Sequence, residues 1–102
     1  AKELTFTGRI LEGTEAASLG IVTQVCDNPL EDALAMAEQI AGKSPSASRL
    51  GKQLFEETWH AAPNEGLGLE ASLQGRLIGE HNQVEAVKSN FDERSPRYIN
   101  PD

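Results

Sequence analysis

The amino-acid sequence predicts a mainly α-helical fold of short helices, with two short strands at the amino-terminal end. Apolar residues recur at helical spacing in four successive segments after residue 28, and glycine or proline residues separate these segments. Most of the segments also begin with a proline or with a residue type that caps helices. With 102 residues, the chain is expected to form one domain at most, with a modest core.

Residues 1–26 are predicted to form a helix-strand-helix-strand segment. The first helix is expected to end at Gly8 and the second at Gly20, because glycine readily takes the left-handed conformation that ends helices. Extended stretches at residues 9–11 and 21–26 follow the two helices. Strands this short are not stable alone, so we expect them to pair with each other or with a segment outside the chain.

Residues 27–102 are predicted to form a helical region with four helices. The first begins near Pro29, which suits a first helical turn because the N–H group that it lacks would have no partner there. This helix is expected to end at Gly42. The second helix begins at Ser44 and Pro45 and continues to about His60.

The third and fourth helices are less regular. The third follows Pro63, has Asn64 as a capping residue, and contains glycines that weaken it by roughly 1 kcal/mol each relative to alanine. The fourth is predicted over residues 82–94, and Pro96 follows its end.

Each of these four helices has one apolar face. The faces consist of Leu30, Ala33, Leu34, Ala37, Ile40 and Ala41, of Ala47, Leu50, Leu54, Phe55, Thr58 and Trp59, of Leu69, Leu73, Leu77 and Ile78, and of Val84, Val87 and Phe91. Helices of this length are marginal without tertiary contacts, so we expect each face to be buried and some of them to be covered by another chain.

The balance of charge argues against two classes of partner. Nine Lys and Arg residues against sixteen Asp and Glu residues give a formal net charge of −7. Nucleic acids and anionic membrane surfaces both need a cationic protein surface, so we expect neither as a partner. No apolar run approaches the ~20 residues of a membrane span, and a single cysteine fits a reducing compartment. We therefore expect a cytoplasmic protein.

The sequence predicts neither a catalytic site nor a metal site. Glu56 and Glu57 are adjacent, so on a helix they point about 100 degrees apart and cannot share a proton. Neither His60 nor His81 has an acidic residue at metal-ligand spacing. Cys26 ends an apolar stretch and is expected to be buried and unreactive.

The residues best suited to bind a ligand lie near the carboxyl-terminal end. Lys88, Arg94 and Arg97 occur with Phe91 and Tyr98 within eleven residues of an otherwise acidic chain. Phe91 and Arg94 are three positions apart, so a helix can present an aromatic face and a guanidinium together. That pair suits an adenine ring and a phosphate group. The pattern alone favours the alternative, a core Phe91 beside an Arg94 that complements the helix dipole.

An ordered set of motifs runs along the chain. Ala1 to Arg9 match A-x-E-L-x-x-T-G-R, and Glu15 to Val25 match E-A-x-x-x-G-L-V-x-x-V with isoleucine in place of leucine. A Ser-Pro-x-Ala helix start, an E-G-L-x-L-E segment and a closing E-G/A-V-x-A-F/N-x-E-K-R-x-P-x-F pattern follow. Each motif is weak, but their order and spacing together are specific. In them the chain resembles the enoyl-CoA hydratase/isomerase, or crotonase, superfamily over essentially its whole length.

The resemblance implies the helical carboxyl-terminal region of a crotonase-like fold. In the family this region packs against the amino-terminal spiral core and against neighbouring subunits, in trimers or hexamers. It implies hydration or double-bond isomerisation of acyl-CoA thioesters in fatty-acid or related metabolism, with CoA as the substrate carrier and no other cofactor. The family's catalytic residues lie before the equivalent of Ala1, so the 102-residue chain alone is predicted to be inactive. We also expect Ala1 to mark a cut within a longer protein.

The resemblance also implies a CoA contact. In hydratases of the family, a Phe and a Lys three residues apart in the closing helix contact the adenine nucleotide. Asn90 and Glu93 occupy the aligned positions, and Phe91 and Arg94 supply similar chemistry one residue later. The candidate CoA-binding residues are therefore Phe91, Arg94, Lys88 and Arg97. The alternative function is a stand-alone acidic helical protein-interaction module without catalysis.

Overall fold

The computed structural model describes residues 1–101 and confirms a mainly α-helical chain. Within this range there are six helices: α1 (Lys2–Thr7), α2 (Gly13–Ser18), α3 (Pro29–Ala41), α4 (Pro45–Thr58), α5 (Pro63–Leu77) and α6 (His81–Phe91). The starts of α3, α4 and α5 at proline residues follow the predicted starts closely. Across residues 1–101, every helix is too short or too polar to traverse a bilayer.

The two predicted strands, at residues 9–11 and 21–26, are wrong. Between residues 1 and 101 the backbone forms no β-strand, and both stretches are irregular or bent. A strand is stable only beside a hydrogen-bonded neighbour, and neither stretch has one here. Ile10 is 91% exposed, and the Ile21 N–H instead donates to the Ala16 carbonyl at 2.9 Å in the turn after α2.

The structure divides into two compact units, Ala1–Met36 and a second unit from Ala37 onward. The division falls inside α3, whereas the sequence predicts a division after residue 26 between a helix-strand-helix-strand segment and a helical region. Compact units and sequence segments are different divisions of a chain. The predicted segments 1–26 and 27–102 therefore stay a prediction.

One arginine organises the first unit. Arg9 follows Gly8, whose φ of 59° is the left-handed conformation that ends α1. The Arg9 guanidinium donates to both carboxylate oxygens of Glu15, at 2.7 and 3.1 Å, and its Nε donates to Glu3 at 3.2 Å. The hydrogen bonds from Arg9 lower the pKa of Glu15. The charged residues of the opening motif therefore connect α1 to α2.

In the second unit, α4 packs against α5 and α6. Its apolar core is small, since Leu73 of α5 is the large apolar side chain that is buried among the residues described. Three buried polar residues, Ser46, Asn82 and Ser89, complete the interior. Such residues are stable in an interior only when they are hydrogen-bonded, and in the described part of the chain every buried side-chain polar atom has a partner.

Asn82 is the centre of this polar interior and is fully buried. Its amide Nδ2 donates to Ser46 Oγ at 2.9 Å and to the Ile99 carbonyl at 2.8 Å, while its Oδ1 accepts from the Ile99 N–H at 2.9 Å. Ser46 Oγ and the Asn82 N–H both donate to the Glu80 carboxylate, at 3.2 and 3.1 Å. One side chain thus joins α4, α6 and the residues after α6.

The helix α6 ends earlier than the predicted residue 94. Glu93 takes a left-handed φ of 49°, its N–H donates to the Asn90 carbonyl, and the Arg94 N–H donates to the Ser89 carbonyl. This is the Schellman arrangement, formed without the usual glycine. It turns the chain back, so that residues 92–101, which we call the tail, run along α6 from Arg94 to Ile99.

The apolar faces are exposed over much of the described chain, which corrects the predicted burial of the α3 face. No residue of α3 is buried, and Leu30 is 70% exposed. On α4, Phe55 and Trp59 are also largely exposed, although the sequence favours Trp59 as a core or interface residue. The physical reason is that units this small cannot cover the apolar faces of all four helices at once, because each face needs a partner surface.

Asn82→Ala is expected to lower the free energy of unfolding by about 2 to 3 kcal/mol, because it leaves the Ser46 hydroxyl and both Ile99 backbone groups without their partner. Urea unfolding followed by circular dichroism measures this. The matched control is Asn90→Ala, on the same helix but exposed, which should change stability by less than about 0.5 kcal/mol. Equal effects from the two substitutions would contradict the central role of Asn82.

Candidate functional site

The candidate site is a shallow cleft of about 350 Å³ between the last turns of α6 and the tail. We call it the cationic cleft, and it is lined by Glu85, Lys88, Asp92, Arg94 and Arg97. Three cations face two carboxylates, so its formal charge is +1 in a chain whose net charge is −7. The structure thus brings together three of the four predicted binding residues, Lys88, Arg94 and Arg97.

Arg94 is held within the cleft by hydrogen bonds. Its Nη1 and Nη2 donate to the two carboxylate oxygens of Glu85, at 2.6 and 3.0 Å. Its Nε donates to Asp92 at 3.3 Å, and Nη1 also donates to the Ser95 carbonyl at 3.1 Å. The two parallel bonds to Glu85 are the arrangement in which arginine binds a carboxylate most strongly. Arg94 is therefore held against Glu85 of α6, although its side chain remains 35% exposed.

Glu85 is the acceptor around which the cleft is arranged. In addition to Arg94, it accepts the backbone N–H of Arg97 on Oε1 at 2.7 Å. The hydrogen bonds from Arg94, and next the one from Arg97, hold the pKa of Glu85 at about 2, well below its ordinary 4.5. The side chain of Glu85 is only 13% exposed. It is consequently ionised at neutral pH.

Phe91 lies outside the cationic cleft. It is 81% exposed and lines a neighbouring open groove with Val84, Val87 and Lys88 on the surface of α6. The prediction that helical spacing presents Phe91 and Arg94 together is wrong, because α6 ends at Phe91 and Arg94 belongs to the turned-back tail. The alternative, a Phe91 in the core, is also wrong. Lys88 borders both the groove and the cleft.

Sequence reasoning missed Glu85 and Glu80. Glu80 caps α6 by accepting the Asn82 N–H, but glutamate is not a preferred capping residue and carries no such signal. Glu85 lies nine positions before Arg94, which is not a helical contact distance. The closing motif contains both Glu85 and Arg94 and was the available signal, but it does not indicate that these two residues are in contact.

The other sequence candidates show no sign of a reactive or metal-binding site among the residues described. Cys26 is half-buried, which corrects the predicted full burial, and a hydrogen bond with Asp32 raises the pKa of its thiol. Raising that pKa disfavours the reactive thiolate. In the part of the chain that the structure covers, no three His, Cys, Asp or Glu residues cluster closely enough to hold a metal ion.

A second cleft, of about 270 Å³, lies beside α4 and the end of the tail. Arg49 and Arg76 line it with Ser46 and Glu80. Arg49 Nη1 donates to the Pro101 carbonyl at 2.8 Å, so this arginine holds the tail in place. The residues that line this second cleft include no aromatic side chain, whereas the cationic cleft shares Lys88 with the groove that contains Phe91, which makes the cationic cleft the better candidate.

Known proteins with similar sequences carry names that refer to enoyl-CoA hydratase or methylglutaconyl-CoA hydratase. A putative enoyl-CoA hydratase of Thermus thermophilus is 36% identical over 96% of this chain and 40% of its own length. The human enoyl-CoA hydratase domain-containing protein 2, named as mitochondrial, is 31% identical over 97% of the chain and 36% of its own length. The mouse methylglutaconyl-CoA hydratase, also named as mitochondrial, is 28% identical over 96% of the chain and 33% of its own length.

The fold is also similar to that of a solved structure. The crystal structure of an enoyl-CoA hydratase from Polaromonas sp. JS666 superposes with a TM-score of 0.83 at 25% identity, over 91% of this chain and 37% of that one. No family model matches the sequence. The chain spans only about two fifths of the length of the first two of these relatives.

The depressed pKa of Glu85 makes a prediction about acid stability. A carboxylate whose pKa is lower in the folded chain stabilises it above the ordinary value of 4.5, and this contribution is lost as the pH falls toward about 2. The stability difference between the wild type and Glu85→Gln should therefore be constant above about pH 5 and shrink below it. Carbon-13 NMR should give a Glu85 midpoint near 2.

In the same experiment, Arg94→Gln should raise the Glu85 midpoint toward 4.5, though not fully, because the Arg97 N–H remains as a donor. Arg49→Gln is the control, since Arg49 is bonded to Pro101 and not to Glu85. A wild-type midpoint near 4.5 would show that the pair is not formed in solution.

Proposed function

The chain belongs to the enoyl-CoA hydratase/isomerase superfamily, and from that premise we propose that it is the carboxyl-terminal part of an enzyme that acts on acyl-CoA thioesters. In this proposal, the chain closes the CoA site and contributes to oligomerisation. The proposed reaction is hydration or double-bond migration, and the names of the relatives, which refer to hydratases, favour hydration. We call the complete enzyme of this proposal the parent polypeptide.

The observation that carries the assembly role is the exposure of apolar helical faces. Leu34 and Ile40 on α3, Phe55 and Trp59 on α4, and Val84 on α6 are each at least half exposed. Apolar surface on this scale is typical of an interface, because burying it from water is the main driving force of association. We propose that the spiral core of the parent polypeptide and neighbouring subunits, in a trimer or hexamer, cover these faces.

The CoA contact rests on the cationic cleft and its neighbour Phe91. An exposed aromatic ring can stack on a purine, and cations beside it can neutralise phosphate groups. Phe91 and the cationic cleft place these two chemistries side by side, with Lys88 on the boundary between them. CoA carries an adenine and phosphate groups, so we propose that its nucleotide end lies against Phe91, Lys88, Arg94 and Arg97.

The chain contributes no acid or base to the reaction in this proposal. Hydration needs a positioned general acid and base, together with donors for the thioester oxygen. Glu85 is unsuited to be the base, because both of its oxygens are engaged with Arg94 and its pKa is about 2. The catalytic groups are assigned to the remainder of the parent polypeptide.

A stand-alone helical interaction module remains the second candidate, and the same exposed faces favour it. It differs from the first proposal in requiring no CoA binding. A cytoplasmic location is also part of the proposal, although two of the relatives described above are named as mitochondrial. Cell fractionation with an antibody against the chain tests the location.

The isolated 102-residue chain is expected to show no hydration of crotonyl-CoA, because it supplies neither acid nor base. Loss of absorbance by the conjugated enoyl thioester measures the reaction. The parent polypeptide, assayed at the same molar concentration, is the positive control. Turnover by the isolated chain above that of buffer would overturn the assignment of the catalytic groups to the remainder.

Phe91→Ala in the parent polypeptide is expected to weaken CoA binding about tenfold, which is typical for the loss of one base–aromatic stack. Isothermal titration calorimetry with CoA measures the change. Phe6→Ala is the matched control, because Phe6 is 83% exposed but lies in the first unit, outside the groove. Unchanged affinity in Phe91→Ala would favour the interaction module over the CoA contact.

A further inference from the structure

We propose that Glu85 is a positioning residue. It binds Arg94 and thereby keeps this arginine from the ligand, and it holds Arg97 beside Lys88. In this arrangement Lys88 and Arg97 bind the phosphate groups. This inference rests on the proposed function and assigns different roles to residues that the sequence treats alike. Arg94, the strongest phosphate candidate in the sequence, becomes part of the support, and Glu85, which the sequence does not single out, becomes essential to binding.

The hydrogen bonds of Arg94 leave it little capacity for a ligand. A guanidinium has five N–H donors, and the bonds to Glu85, Asp92 and Ser95 occupy four of them. Both donors that form a parallel pair with Glu85 would have to leave it before they could bind a phosphate in the same manner. Because the Glu85 carboxylate is anionic and lies 2.6 and 3.0 Å from the Arg94 guanidinium nitrogens, separating the two groups costs free energy.

The same carboxylate fixes the position of Arg97. Glu85 Oε1 accepts both Arg94 Nη1 and the Arg97 N–H, so one oxygen connects α6 to two points of the tail. The side chain of Arg97 then lines the cleft with Lys88, which projects from the last turn of α6. Among residues 1–101, the Lys88 and Arg97 side chains form no ion pair and donate no hydrogen bond to another side chain. They are the cations that an anionic group can reach without displacing a carboxylate.

When Glu85 is replaced by an uncharged residue, simple electrostatics and the positioning role predict opposite changes in the affinity for an anion. Removing the charge of Glu85 makes the cleft more positive and frees Arg94, which by charge alone should tighten the binding of an anion. If Glu85 instead positions Arg97, its removal should weaken binding, because the tail loses two of its attachments to α6. The direction of the change therefore distinguishes the two roles.

The experiment compares Glu85→Ala with Asp92→Ala in the parent polypeptide. Both substitutions remove one negative charge from the same cleft, but Asp92 has no bond to Arg97. CoA affinity is measured by calorimetry at two salt concentrations. Glu85→Ala is expected to weaken binding about fivefold, the loss typical of one positioned hydrogen bond, while Asp92→Ala leaves it equal or tighter.

Two further variants test whether Glu85→Ala weakens binding only by disturbing the fold. Glu85→Gln keeps an acceptor for the Arg97 N–H and should restore part of the affinity, and the NMR signal of that N–H reports whether the bond is retained. The double variant Lys88→Gln with Arg97→Gln should reduce both the affinity and its salt dependence. Lys43→Gln, an exposed lysine outside the cleft, is the control.

Each outcome has a distinct meaning. Weaker binding in Glu85→Ala, partly restored in Glu85→Gln, supports the positioning role. Tighter binding in Glu85→Ala, equal to that of Asp92→Ala, overturns it and returns Arg94 to the ligand. If binding of CoA depends on neither Phe91 nor the Lys88 and Arg97 pair, the proposed CoA contact itself fails, whatever Glu85 does.

Discussion

The buried amide of Asn82 is the interaction on which the second unit depends. The interior of that unit contains little apolar volume, so burial alone does not specify how its parts fit together. Asn82 provides that specification, since its amide binds Ser46 of α4 and both backbone groups of Ile99 in the tail. Glu80 completes the network by capping α6 and accepting from Ser46. A fully satisfied polar network of this kind fixes geometry more strictly than apolar contact does, because each bond has a direction.

This organisation separates two demands on the same helices. Directional bonds between polar residues place α4, α6 and the tail, while the apolar faces of α3, α4 and α6 stay exposed. In an independent small domain, burial of the apolar helical faces normally provides most of the stability of the fold. Here they are available to a partner surface, which agrees with a chain that matches two fifths of the length of an enoyl-CoA hydratase. The fold and the proposed assembly therefore depend on different residues.

The sequence predicts the helices well and the connections between them poorly. Starts at Pro29, Pro45 and Pro63 follow from the local chemistry of the first helical turn, which needs no tertiary information. The strands fail because a strand is defined by a neighbour, and the end of α6 fails because Glu93 takes a conformation usual for glycine. The site shows the same limit. Its cations cluster in the sequence and also in space, but the roles of Glu85 and Arg94 depend on the reversal after Glu93, which local patterns do not encode.

The tail is held mainly through its backbone. Asn82 binds the N–H and carbonyl of Ile99, Glu85 binds the N–H of Arg97, and Arg49 binds the carbonyl of Pro101. Every residue type other than proline offers the same N–H and carbonyl groups. Apart from the Arg94 side chain, which binds Glu85, these bonds hold the path of the tail whatever side chains it carries. Substitutions of the exposed tail side chains other than Arg94 can therefore change the surface of the tail while its path stays the same.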